Sequence, residues 1–442
     1  FFDLGGHSLL AAQLAARMSQ ACATDIAVRD VFVRPRLQEM ARLLQPASED
    51  TSAFVDLEAE VRLAPEIRAA SIPTVAAAHS PRAVLLTGAT GFLGAFLLER
   101  LLSKTDATVH CLIRCADATQ GRQRLEQALA ALGLADRCDR ARIVVEPGDL
   151  AQPLLGLNPQ RFEALAQTLQ AIYHNGAWVN SLHGYGSLKA ANVSATEEVL
   201  RLAAHGIAKH IHYVSTIGTI AAWNPAKPEI DSEEALFANW RGLSAGYAQS
   251  KWVAERLLRL GGERGLAYTV YRPTHICGAS LSGISNDSDT WSLYIDACLE
   301  HRRVPELDDR LNWLPVDRMS ELIVGLSLRE DLAGRSLNLM HPQAFALEQL
   351  NRAIVASDGA PVQRLPYRDW LSLCATRAST RNIASILPAD LADEPSVASA
   401  FGPVKVSNAA ADQDLAGAAC APIDDALLQR YVAWRNRDRA AG

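Results

Sequence analysis

Val84-Leu85-Leu86-Thr87-Gly88-Ala89-Thr90-Gly91-Phe92-Leu93-Gly94 decides how the rest of the chain is read. The stretch is an apolar strand that runs through a glycine turn into a helix. Gly88 permits the tight turn, Gly91 lets the backbone approach a phosphate, and Gly94 lets the helix lie against the strand it follows, with an anion held at the helix N-terminus. A purely structural turn is the alternative reading of the glycines alone. On either side, short apolar segments alternate with helical ones. Strands are predicted at Ala83 to Thr87, Thr108 to Arg114, Ile143 to Glu146, Ala171 to His174, His210 to Ser215 and Tyr268 to Arg272. Helices are predicted between them at Gly94 to Leu102, Leu188 to Ala204 and Tyr247 to Leu260. This alternation predicts an α/β fold, a doubly wound parallel sheet of the Rossmann type with helices on both faces.

Outside that core the pattern changes. Residues 1–45 have helical periodicity, with Leu9, Leu10, Leu14 and Met18 on one face and Val31, Phe32, Leu37, Met40, Leu43 and Leu44 as a second apolar set. Residues 46–80 shift toward Pro, Ser, Thr, Ala and acidic side chains, which predicts a linker with one short helix around Val55 to Leu63. Residues 81–275 are assigned to the Rossmann-type domain and 276–442 to a smaller, mainly helical substrate subdomain, with about 312–345 returning to the sheet. In this last part helices are predicted near Trp291 to Glu300, Arg318 to Leu328 and Ala426 to Trp434, and an Ala/Asp/Pro-rich stretch runs from about Pro388 to Pro422.

Composition narrows the function classes. The net charge of −6 comes without a massed basic block, which argues against nucleic acid as a partner. No apolar run reaches the ~18 residues needed to span a bilayer. Phe1 opens in mid-motif without a basic segment and apolar run before it, so the expectation is a cytoplasmic piece of a longer polypeptide. Eight cysteines without a CxxC pair read as reduced core residues. Of His205, His210 and His212 the latter two straddle a strand start with no acidic or thiol neighbour beside them, so the three read as core or surface residues and no metal is expected.

Arg114 ends the second predicted strand, ~20 residues past the glycines, where an acidic residue would take a ribose 2′-hydroxyl and an arginine suits a 2′-phosphate. Arg124 follows on the next helix. A guanidinium grips phosphate as a planar fork, so NADPH is preferred to NADH, with two solvated surface arginines as the alternative. Thr216 stands just beyond the strand that ends at Ser215. Tyr247 and Lys251 lie four apart on one helical face, where an ammonium beside the phenol would stabilise its ionised form and let Tyr247 act as a general acid. Alone, such a pair reads as a helix-surface pair. Coming after the glycine turn and Val214-Ser215-Thr216, it reads as catalytic, with Ser215 the alternative to Thr216 for the hydroxyl.

Two resemblances sharpen this. Phe1-Phe2-Asp3-Leu4-Gly5-Gly6-His7-Ser8-Leu9-Leu10 resembles the attachment site of peptidyl carrier domains, although Ser8 by itself is an ordinary N-cap serine. The resemblance implies that Ser8 bears a 4′-phosphopantetheine arm on a four-helix bundle whose first helix would precede Phe1. The Gly88, Gly91, Gly94 spacing resembles the extended short-chain dehydrogenase/reductase family. Tyr173-His174-Asn175-Gly176-Ala177, Asn192-Val193, Glu198 to Ala203, Arg272-Pro273 and Leu314-Pro315-Val316-Asp317 look like the terminal thioester reductase domains of nonribosomal peptide synthetases. That likeness implies a cofactor site of Gly88, Thr90, Gly91, Phe92, Leu93, Gly94, Arg114, Arg124, Asp149, Leu150, Asn175, Gly176, Ala177, Tyr247, Lys251 and Pro273. Asp149 reads equally as a turn aspartate. It also implies a catalytic set of Thr216, Tyr247 and Lys251.

The implied activity is NADPH-dependent release of a carrier-bound acyl or peptidyl thioester as an aldehyde, or as an alcohol after a second reduction, by a monomer fed from upstream synthetase modules. Gly184, Ala195 and Thr274 depart from the family pattern without removing a reacting group. Two other functions compete. A non-redox, Dieckmann-type release domain is disfavoured because Tyr247 is present, and a nonenzymatic carrier-docking module is separated by thioester-dependent NADPH consumption.

Overall fold

A computed structural model describes residues 55–69, 80–180, 183–220, 240–243, 245–357, 362–377, 379–387 and 421–441, with six isolated positions before residue 55. Ser8, the helical unit expected over 1–45 and nearly all of the Ala/Asp/Pro-rich stretch lie outside the described residues.

The predicted strands form as β1 (Ala83–Thr87), β2 (Thr108–Ile113), β3 (Ile143–Pro147), β4 (Ala171–His174), β5 (His210–Val214) and β6 (Tyr268–Pro273), each end within one residue of expectation. A further strand, β7 (Ser336–Leu339), completes a seven-stranded sheet in the order β7-β6-β5-β4-β1-β2-β3, with every pairing parallel. Leu337 and Leu339 of β7 are fully buried, and the strand pairs with β6 at the edge of the sheet. The order reverses between β1 and β4, and in open α/β sheets that switch opens a crevice beyond the carboxyl ends of the strands.

The helices are α1 (Phe92–Lys104), α2 (Ala118–Ala131), α3 (Pro159–Thr168), α4 (Ala195–Ala203), α5 (Gly246–Glu263), α6 (Thr290–His301), α7 (Val316–Ser327), α8 (Leu347–Ser357), α9 (Tyr367–Ala375) and α10 (Asp425–Ala441). Strand residues alternate between two cores. Val84, Leu86, Val109 and Cys111 meet α1, α2 and α7, whereas Leu85, Ile172, Ile211 and Val270 meet α3, α4 and α5. Burial on both faces is why these strands read as continuous apolar runs. A third core, built on Trp291, Tyr294, Trp313, Trp370 and Tyr431, gathers α6, α8, α9 and α10 into the smaller helical part. Arg435 pins α10 through ion pairs to Asp287 and Asp296.

Two expectations change in detail. The helix foreseen from Leu188 to Ala204 is interrupted: Tyr185–Lys189 passes through a π-helical turn, Ala190–Ser194, before α4 begins. The wide turn directs Asn192 to the Trp178 backbone, accepting from its N–H at 2.7 Å and donating to its carbonyl at 3.1 Å. The linker helix is one turn, Leu57–Glu60, capped by Asp56. Its segment is not a free tether, because Leu57, Leu63 and Ile67 are buried in the α5-side core and Arg264 donates to the carbonyls of Leu63, Ala64 and Ile67.

Candidate active site

The glycine turn is packed to contact. Gly88 sits at φ +74°, a backbone region that L side chains rarely adopt, and its Gly176 neighbour would lie 2.8 Å from an added Cβ. A Cβ at Gly94 would fall 1.9 Å from the Gly88 carbonyl oxygen. α2, α3 and α6 are capped by Asp117, Asn158 and Asp289, but α1 begins at Gly91 with no side-chain cap. A bare helix N-terminus beside close-packed glycines fits a pyrophosphate. Thr90 and Phe92 are partly exposed at this turn, and Leu93 is buried behind it.

The β4 end closes the other side of the crevice. The Gly176 N–H donates to Thr87 Oγ1 at 2.8 Å, and that oxygen lies 2.9 Å from His174 Nδ1. Burial, with Lys251 adding to it, pulls His174 down to about 3, so it acts as a neutral strut. Asn175 reaches the Gly88 carbonyl at 3.5 Å, Ala177 follows half-buried, and Leu150 packs beneath Gly176. Asp149 serves its own turn, accepting from the Ala151 N–H at 3.0 Å, which matches the turn reading of that residue. Pro273 is buried at the end of β6.

Arg114 and Arg124 are exposed at the β2 end, and an Arg124 Nη1 donates to the Arg114 carbonyl. An exposed guanidinium on each of these two residues suits a phosphate dianion. Arg114→Ala is expected to raise KM for NADPH about tenfold, the loss of one charge-assisted hydrogen bond, and to leave KM for NADH unchanged. Steady-state kinetics with both nucleotides checks this.

Thr216 and Ser215 are now distinguishable. Ser215 is buried and donates to Glu255 Oε1 at 2.5 Å, whereas Thr216 is half-exposed in the turn after β5 and its Oγ1 accepts from the Gly218 N–H at 3.2 Å. Of the two, Thr216 is the partly exposed one. Thr216→Val is expected to lower kcat about 10²-fold, and Ser215→Ala to lower thermal stability with a far smaller loss of kcat. Parallel rate and melting measurements separate the two roles.

Tyr247 and Lys251 share α5, but the ammonium does not serve the phenol as expected. Lys251 is buried, its Nζ donates to the Val214 carbonyl at 2.8 Å, and it sits 4.6 Å from the centre of the Tyr213 ring. Burial pulls Lys251 down to about 7, offset by Glu255. Tyr247 is mostly buried, and that burial lifts its phenol above the ordinary range. The correction is physical: the side chain of Lys251 turns under β5 to find a carbonyl, leaving Tyr247 a protonated acid rather than an ionised group.

Two residues escaped the sequence. Glu255 carries no motif, and its only signal was a position four beyond Lys251 on the same helix face. Trp178, 45% exposed next to Ala177, offers an apolar wall at the crevice, its ring against His183. Among the described residues no group of three or more His, Cys, Asp or Glu side chains is placed to hold a metal ion.

The NAD-binding family model described as Male sterility protein matches residues 86–323, and the Phosphopantetheine attachment site model matches residues 1–44. The chain is 38% identical to a subunit of the linear gramicidin synthase of Brevibacillus parabrevis, over 84% of its own length and 7% of that protein's. It is 32% identical to the L-2-aminoadipate reductase large subunit of Eremothecium gossypii over 86% of its length and 30% of that protein's. The chain thus spans less than a third of either relative. The crystal structure of the terminal R domain from the myxalamid PKS-NRPS biosynthetic pathway superimposes with a TM-score of 0.76 at 35% identity, covering 87% of this chain and 98% of that one.

Proposed function

Since the chain belongs to the NAD-binding family described as Male sterility protein, we propose that it ends a peptide-synthetase assembly line, using NADPH to release a carrier-bound acyl or peptidyl thioester as an aldehyde. The chain is an NAD(P)-dependent reductase of the extended short-chain dehydrogenase/reductase type. The observation that supports the finer reading is that an uncapped α1 N-terminus follows β1, a partly exposed Thr216 follows β5, and the buried Lys251 reaches the Val214 carbonyl at the end of β5.

The glycine turn and the α1 N-terminus would hold the pyrophosphate, and Arg114 with Arg124 the 2′-phosphate. When bound, the reduced dinucleotide supplies a hydride. Thr216 donates to the thioester carbonyl oxygen and orients it, and Tyr247, kept protonated by its surroundings, delivers the proton that oxygen needs as its negative charge grows. Lys251, its Nζ held at the Val214 carbonyl, would lie beside the nicotinamide ribose. With hydride gained at its carbon and the Tyr247 proton at its oxygen, the thioester carbonyl would become a hemithioacetal, whose carbon–sulfur bond breaks to give aldehyde and thiol. The thiol remains on the carrier, where Ser8 is the attachment residue. Each reduction consumes one NADPH and one proton, and a second one yields the alcohol. All these groups come from one chain, so a monomer suffices.

Mixing the protein with NADPH and an acyl-pantetheine, while following absorbance loss, free thiol and product, tests the reading. One thiol and one aldehyde per NADPH supports it. Thiol release with no NADPH consumed sinks it in favour of a non-redox releasing domain.

A further inference from the structure

We propose that Glu255 is the positioning residue of this site: a single buried carboxylate that ties the turn carrying Thr216 to α5 and supplies the negative charge facing Lys251. The inference rests on the reductase reading for its kinetic half. Glu255 and Arg272 are both wholly buried, and the guanidinium reaches the carboxylate through Nε at 3.1 Å to each oxygen and through Nη2 at 2.7 Å. Oε1 also accepts from Ser215 at 2.5 Å and from Thr219 at 3.1 Å. Ser215 and Thr219 bracket Thr216, so this one carboxylate holds both shoulders of the turn that presents its hydroxyl. Arg272 lies beside Pro273 at the end of β6. Three elements that carry proposed site residues, β5 with its turn, β6 and α5, therefore converge on Glu255.

A buried ion pair is poor evidence of stabilisation, because the cost of desolvating two charges rivals their attraction. Geometry gives this one a different use. The titratable and charged groups around Lys251 are Tyr247 and Glu255 on its own helix, His174 from β4, Tyr213 from β5, and Arg272 from β6 behind Glu255. His174 is held neutral and both tyrosines are raised, so Glu255 is the anion in this set. Burial drives Lys251 toward its neutral amine, and Glu255 opposes that. A charged Lys251 is present below its folded pKa and lost as pH rises through it, so removing the opposing charge moves that loss to lower pH.

Glu255→Gln alone deprives a buried guanidinium of its counter-charge and risks unfolding for reasons unrelated to chemistry. The informative protein is Glu255→Gln with Arg272→Met, which removes both charges yet leaves a carbonyl able to accept from Ser215 and Thr219. Two quantities are read in wild type and double variant: the Lys251 ¹⁵Nζ titration by NMR without nucleotide, and the pH profile of kcat/KM with an acyl-pantetheine. In the folded double variant, the Lys251 titration and the alkaline limb of the profile are both expected to fall by about one pH unit, a tenfold change in proton affinity. A double variant with the wild-type Lys251 titration overturns the proposal and leaves Glu255 a structural tether. A wild type that turns over no thioester overturns the reductase reading instead, and the NMR titration still decides the role of Glu255.

Discussion

Tyr247→Phe is expected to lower kcat for an acyl-pantetheine by about 10³-fold, within the range that a positioned general acid contributes. Dissociation of NADPH should change by less than about twofold, because the loss falls on a step made only in the transition state. The reasons are local. The substitution deletes one oxygen from a mostly buried ring and leaves the α5 backbone, the Lys251 bond to Val214 and the glycine turn as they were. Neither neighbour on the same face of α5 is placed to substitute, since Lys251 is already engaged at the Val214 carbonyl and Glu255 is sealed in the core. Stopped-flow absorbance gives the rate and protein fluorescence the nucleotide affinity. A kcat within about threefold of wild type would remove Tyr247 from the proton-donor role.

Gly94→Ala is expected to abolish nucleotide binding at millimolar NADPH and to destabilise the fold by about 1–3 kcal/mol, the usual cost of overpacking. The added methyl would sit 1.9 Å from the Gly88 carbonyl oxygen, and both sides of that contact are backbone. Gly88 cannot retreat, because its positive φ and its approach to Gly176 fix the turn from the other direction. α1 must then lift from β1, carrying away the N–H groups that would receive the proposed pyrophosphate. Gly186→Ala is the matched control: nothing lies within 4 Å of the site of its new methyl, and a change within about ±0.5 kcal/mol is expected. Thermal melting and a fluorescence titration of NADPH measure both proteins. Tight binding by Gly94→Ala would mean that the turn is not the phosphate cradle.

The sheet was legible because each strand is buried on both faces, so its signal is a plain apolar run bounded by turn residues. β7 was less legible for a related reason: Ser336-Leu337-Asn338-Leu339 alternates, and its Asn338 is buried against expectation for a polar residue. Thr216, Tyr247 and Lys251 could be named from order and spacing, but the direction of Lys251 could not. A long flexible side chain chooses among nearby acceptors, and the Val214 carbonyl is brought to it only by packing of α5 on β5. Glu255 was illegible for the same reason. Its partners are Ser215 and Thr219, forty and thirty-six residues away, and Arg272 beyond the end of the helix. Asn192 shows the converse case, where a residue quoted for resemblance alone gains a physical task in holding the Trp178 backbone.

The seating of Leu57, Leu63 and Ile67 in the sheet's flank has a consequence for delivery. Only residues 45–54 stand between the span matched as an attachment site and the first described position of that seat. Ten residues reach about 35 Å even when fully drawn out, so a carrier joined there is leashed to its own reductase whatever path the leash takes. Under the proposed function, an acyl group loaded on Ser8 would then meet Thr216 at an effective concentration that dilution cannot lower. Turnover of a self-loaded chain should be first-order and independent of protein concentration, and a free carrier added in solution would have to compete with a neighbour that never leaves.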